Sequence, residues 1–149
     1  IIPVTGDGLQ KAIDESQILI TATQRMSKPI IYKEMLHKGM LGIPLEGTAW
    51  EGSIYTDYID RFVCDDWELV KTYVKHGVFP YGLPKDPQIL GKCIIGEHCP
   101  RKDDNEFVLA RNPGMSISDI ALAHRILKLA NERNIGTILP LLEEEDILR

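Results

Sequence analysis

Four short segments of this 149-residue sequence carry side chains able to hold a polar ligand: Thr21-Ala22-Thr23, Glu46-Gly47-Thr48, Asp65-Asp66 and Arg111-Asn112-Pro113. Asp65-Asp66 follows an apolar run, a favourable place for function, although an acidic residue there also caps a following helix, the better reading of Asp66. Cys93, His98 and Cys99 are neighbours, but their spacing matches no zinc pattern and no second pair exists, so no metal is expected. His37, His76 and His124 are scattered and read as helix-end or surface histidines. Asp103-Asp104-Asn105-Glu106 reads as a solvated turn, and Glu143–Asp146 as an exposed charge run. Gly6-Asp7-Gly8 is a turn and helix cap rather than a phosphate loop, because the later glycines are missing. These residues alone do not specify a reaction.

The elements that position them alternate between strands and helices. Asp7 is expected to cap a helix over 8–16, with Leu9, Ala12 and Ile13 on one face. Residues 17–23 are a short β-branched run that fits a strand buried on both faces, the habit of a parallel sheet. A helix over 32–37, a strand over 40–45 and a short helix near 53–59 follow. Next come a strand over 61–64, a helix over 68–76 closed by Gly77, a proline-rich loop over 80–87 and a helical turn or two within 89–96. A last strand covers 107–110. A long helix runs over 117–133, with Ser116 and Asp119 as a capping box and Gly136 past its end. Its apolar surface is wide enough to be covered on more than one side. The alternation predicts an α/β fold with right-handed crossovers, whose ligands sit at the carboxyl ends of the strands. All four polar segments then fall along one edge.

Composition narrows the partners. The net charge is −5 with no basic stripe, which gives nucleic acid little electrostatic hold. No apolar run approaches the roughly 18 residues that span a bilayer, so no membrane partner is expected. The three cysteines read as reduced thiols, with a cytoplasmic setting as the default. The sequence opens on Ile1 without a Met or a secretory leader, and is expected to start inside a longer protein.

Several segments, in order, resemble the ornithine cyclodeaminase/mu-crystallin family. Residues 7–23 are similar to the helix and strand that enter its T-A-T turn. Residues 38–47 resemble the strand leading to its nicotinamide-side loop, and residues 101–107 its R-x-x-D-x-E segment. Most specific is Asn112-Pro113-Gly114-Met115-Ser116-Ile117-Ser118-Asp119-Ile120-Ala121, followed by the long helix and Asn134-Ile135-Gly136-Thr137.

The resemblance implies a fold and an activity. Residues 1–136 would be the second half of a Rossmann-type NAD(P)-binding domain, three-layered with a mostly parallel sheet and a long C-terminal helix. Residues 137–149 would return to a dimerisation and substrate domain outside this chain, which would be inactive alone. The full protein would be a homodimer using NAD or NADP for hydride transfer at the Cα–N bond of a small amino-acid substrate. Thr23 would touch the cofactor, Leu45, Glu46 and Gly47 would line the nicotinamide loop, Asn112 would bond the nicotinamide side, and Pro113 would sit near substrate. One departure matters: Thr48 stands where the cyclodeaminases place an acid/base aspartate, and a hydroxyl is no carboxylate base near neutral pH. Glu46 and Glu51 are the carboxylates that could substitute. The change resembles the branch acting on larger amino-acid conjugates in diaminopropionate synthesis. Two other readings are a non-catalytic, mu-crystallin-like binder of cofactor or small ligand, and an autonomous α/β interaction domain.

Overall fold

Short runs of β-branched and apolar residues form the sheet, as their composition predicts. The computed structural model describes residue 6, residues 8–24 and residues 26–139. Its strands are β1 (Ile18–Thr21), β2 (Leu41–Pro44), β3 (Arg61–Cys64), β4 (Gln88–Ile89) and β5 (Val108–Ala110). They lie in the order β1-β2-β5-β3-β4, and every pairing is parallel. Their carboxyl ends therefore share one edge. The central strands bury Phe62, Val63, Cys64, Val108 and Leu109, whereas edge strand β1 leaves Ile18 and Ile20 56% and 57% exposed.

Strand β2 carries a glycine for a steric reason. A Cβ on Gly42 would stand 2.6 Å from Cη2 of Trp50, whose buried indole rests on that strand. Trp50 is in turn fixed by a parallel bridge to Ile31, with Ile31 N–H donating to Ala49 O at 2.9 Å. That bridge explains why the helix expected over 32–37 shrinks to a 3-10 turn, Lys33–Met35. Ile31 is held extended on one side, and on the other Leu36 is drawn into the core with extended backbone while its carbonyl accepts from the Tyr58 hydroxyl at 2.8 Å.

Helix α1 (Gly8–Asp14) buries Ile13; its expected cap, Asp7, lies outside the described residues. Helix α2 (Trp67–Thr72) is capped as expected, Asp66 Oδ1 accepting from Leu69 N–H at 3.0 Å, and continues as a 3-10 turn to His76. Gly77, at φ +72°, closes it: Gly77 N–H bonds Val74 O and Val78 N–H bonds Tyr73 O. The segment expected to run from loop into helix instead forms β4 and then α3 (Leu90–Ile94), because Gln88 and Ile89 pair with Val63 and Cys64. The Asp103–Glu106 turn is not a solvated one throughout, since Glu106 accepts from Arg61 Nε and Lys102 N–H.

Two compact units make up the chain, Ile1–Gly114 and Met115–Arg149. In the second, α4 (Ser116–Glu132) begins at N-cap Met115 without a side-chain cap, so Ser116 is already helical and the expected capping box does not form. Asn134, at φ +52°, ends the helix ahead of Gly136, with Ile135 N–H bonding Ala130 O. Among the described residues of this unit nothing covers its apolar side chains Ile117, Ile120, Leu122 and Ile126. No described helix is long and apolar enough to cross a membrane.

Candidate functional site

The loops leaving the carboxyl ends of β1, β2, β3 and β5 are tied to one another by side chains. Thr21 Oγ1 donates to Glu46 Oε1 at 2.7 Å and accepts from Trp50 Nε1 at 2.7 Å. Glu46 Oε2 accepts from the backbone N–H groups of Thr48 and Ala49, at 2.8 and 2.9 Å. Thr48 Oγ1 accepts from Met26 N–H at 2.7 Å, pinning the loop after β1 to the loop after β2. Asp65 Oδ2 accepts from Gly114 N–H at 2.7 Å, which joins the loops after β3 and β5. The single edge expected from topology is thus an assembled surface.

A cavity of about 350 Å³ opens on it, lined by residues 44–48, residues 111–113 and the segment around Gly77. Pro44, Leu45, Val78 and Pro113 give it apolar walls. Two polar side chains on the wall carry buried atoms without a hydrogen-bond partner among the described residues, Asn112 Oδ1 and Arg111 Nε. Buried polar atoms of native proteins are normally paired, so such orphans point to something that completes them. Arg111 itself is held by Nη1, which donates to Glu46 O, and by the rings of Tyr73 and Phe79, whose centroids lie 5.9 and 5.7 Å from its Cζ. Burial pushes the Tyr55 phenol above its ordinary range, with the adjacent Arg111 pulling the other way. It therefore stays a neutral hydroxyl beside the guanidinium.

The residues singled out in the sequence fall as follows. Leu45, Glu46, Gly47, Thr48, Asn112 and Pro113 all line the cavity. Thr23 lies beyond the end of β1 and off the cavity wall; its Oγ1 is buried without a partner among the described residues. Glu51 is also off the wall, and its Oε2 receives a long 3.4 Å contact from Lys33 N–H. The three hydrogen bonds that Glu46 accepts hold the loop, which leaves it poorly placed as a base. Topology puts Arg111 on this edge, as the structure does, but sequence reasoning missed Tyr73 and His76 on the wall.

The remaining candidates have structural duties. Both ring nitrogens of His37 bond carbonyls, of Lys38 and Ser16, and His98 Nδ1 accepts from Ile89 N–H at 2.9 Å. Burial, and after it the charges of Asp65 and Asp66, push the Cys64 thiol up to about 12, so it is inert. Among the described residues no cluster could hold a metal ion.

No protein-family model matches the chain. It is 27% identical over 143 residues to the N-((2S)-2-amino-2-carboxyethyl)-L-glutamate dehydrogenase of Staphylococcus aureus, a match spanning 93% of this chain and 42% of that protein. The fold matches a probable ornithine cyclodeaminase of Bordetella pertussis, with TM-score 0.68, 20% identity, and coverage of 87% of this chain and 44% of that one. It also matches the Thermococcus litoralis Δ1-pyrroline-2-carboxylate reductase solved with NADH and L-proline, with TM-score 0.67, 20% identity, and coverage of 87% and 42%. The chain therefore spans about two fifths of the length of these proteins. The resemblance to the ornithine cyclodeaminases read from its motifs is borne out in fold, a parallel α/β sheet of Rossmann type, while the sequence likeness is to the dehydrogenase.

Proposed function

We propose that this chain is the nicotinamide-side part of an NAD(P)-dependent dehydrogenase or reductase acting at the Cα–N bond of an amino acid. The observation that carries the reading is the buried, unpartnered Asn112 Oδ1 on an apolar-walled cavity at the carboxyl edge of a parallel sheet. That is where such sheets bind ligands. An acceptor beside apolar walls suits the carboxamide N–H and flat ring of nicotinamide. NADH in the Thermococcus litoralis structure, and a dehydrogenase as the Staphylococcus aureus relative, support NAD or NADP as the cofactor.

The residues then have distinct tasks. Leu45, Pro44 and Val78 shelter the ring from water, Asn112 fixes its rotation, Gly47 allows close approach, and Pro113 faces the substrate. Thr23 offers the cofactor, from beyond the end of β1, a hydroxyl with no partner among the described residues. Glu46 and Thr48 hold the loop, so neither replaces the absent aspartate. His76 is the imidazole on the wall, and imidazole is suited to moving a proton near neutral pH. The bound cofactor supplies or accepts the hydride at the amine or imine carbon.

The exposed Ile18 and Ile20 of edge strand β1 fit a sheet that continues into a first nucleotide-binding half, which would hold the pyrophosphate. On this reading residues 1–136 complete that domain, residues 137–149 lead to a dimerisation and substrate domain, and the enzyme is a cytoplasmic homodimer. The test is turnover by the full-length protein. With NAD⁺ or NADP⁺ and an N-substituted amino acid, reduced nicotinamide should accumulate. Tight cofactor binding without turnover of any amino or imino acid would instead indicate a binding protein.

A further inference from the structure

The carboxyl edge of the sheet holds one charge that the tasks above leave unused. Arg111 is only 7% exposed, and among the described residues no carboxylate pairs with it. Its Nη1 is committed to Glu46 O and, at 3.5 Å, to the Tyr55 hydroxyl. Among the described residues its buried Nε has no acceptor and Nη2 donates to none. Those two nitrogens form the edge of a guanidinium that takes a carboxylate side-on, two N–H groups to two oxygens.

A buried guanidinium without an anion is unfavourable, and stacking on Tyr73 and Phe79 offsets only part of that. The neighbouring loop leaves room for the missing anion. A Cβ on Gly47 would stand 3.3 Å from Nη2, so glycine keeps the approach to that nitrogen open, and both residues line the cavity. Glu46, the acidic residue of the same loop, has its oxygens bound by Thr21, Thr48 and Ala49.

We propose that Arg111 is the anion receptor of this cavity and that it binds a carboxylate of the substrate. A carboxylate fits better than a phosphate. It is satisfied by one guanidinium edge, whereas a phosphate asks for donors on several sides, and the nearby Pro44 and Pro113 have no N–H to give. The site thus selects acids over the corresponding amides. This rests on reading the cavity as the substrate side of a nicotinamide site, and it is tested without cofactor so that the two can fail separately.

The isotope-labelled 149-residue chain is titrated with glutarate, glutaramide and inorganic phosphate while the amides of Gly47, Val78 and Asn112 are followed. Glutarate should shift them saturably, glutaramide should not, and phosphate should bind at least about tenfold more weakly, the worth of one charge-assisted hydrogen bond. Arg111→Gln should abolish the response, and Arg111→Lys and Gly47→Ala should weaken it about tenfold by the same measure. Should Arg111→Gln fail to fold, the other two variants decide. The proposal is overturned by an absent glutarate response, by an equal response to glutaramide, by variants that bind as the wild type does, or by tighter binding of phosphate. Nicotinamide mononucleotide failing to bind where glutarate succeeds would count against the cofactor reading alone.

Discussion

Thr21 Oγ1 gives its proton to Glu46 Oε1 at 2.7 Å while accepting the indole N–H of Trp50 at 2.7 Å, so one buried hydroxyl ties β1, the β2 loop and the core together. Thr21→Val keeps the shape and removes both bonds. It leaves the Trp50 N–H buried without an acceptor, at a cost of about 2–3 kcal/mol. Denaturant unfolding should show that loss, while Thr21→Ser should recover most of it.

Asp60 accepts from Lys38 Nζ at 2.6 Å and from Phe107 N–H at 2.7 Å. Partial burial alone would raise its carboxyl; the Lys38 ammonium, the Phe107 N–H and Arg61 together outweigh that and hold it below its ordinary value. A depressed acid stabilises the fold above its unfolded pKa, about 3.9, and that contribution disappears as pH falls through the lower folded value. Stability should therefore decline below about pH 4. Asp60→Asn should flatten this decline and cost under about 1 kcal/mol at neutral pH, the pair being partly exposed. An unchanged acid limb in the variant would contradict the assignment.

Thiol chemistry should separate the three cysteines. Cys99 is exposed, Cys93 is half-buried and Cys64 is buried, with its thiol pushed up to about 12. At mildly alkaline pH a thiol reagent should label Cys99 readily and Cys64 only on unfolding. Because the folded value lies above the unfolded one, about 8.5, the contribution of Cys64 is intact below that pH and is lost as pH rises towards about 12. Labelling of Cys64 as fast as Cys99 in the native protein would disprove its burial.

If His76 moves a proton in turnover, His76→Gln should lower kcat by about a hundredfold. Binding of the oxidised cofactor should change little. A variant with the wild-type kcat would exclude His76 from proton transfer.

The parallel sheet was legible because its strands are short apolar runs between polar turns, and the polar segments that follow them fall on one edge by topology. Glu46–Thr48 and Arg111–Pro113, two of those segments, line the cavity. What stayed hidden was set by distant partners. Arg111 reads as an ordinary cation until Glu46 O, Tyr73 and Phe79 are seen around it. The helix expected over 32–37 gave way because Ile31 bridges Trp50, and β4 formed because Gln88 and Ile89 found Val63 and Cys64. Helical spacing and proline content carry no trace of such long-range pairings.

On the proposed reading the cavity receives the nicotinamide end of NAD(P). That binding is measured by titration of the labelled chain with nicotinamide mononucleotide against adenosine monophosphate. Binding on the order of millimolar, with shifts confined to Leu45–Thr48 and Arg111–Pro113, weakened by Asn112→Leu and absent with the adenosine nucleotide, is the expected result. Shifts elsewhere, no saturable shift, or the same shifts with adenosine monophosphate would contradict it.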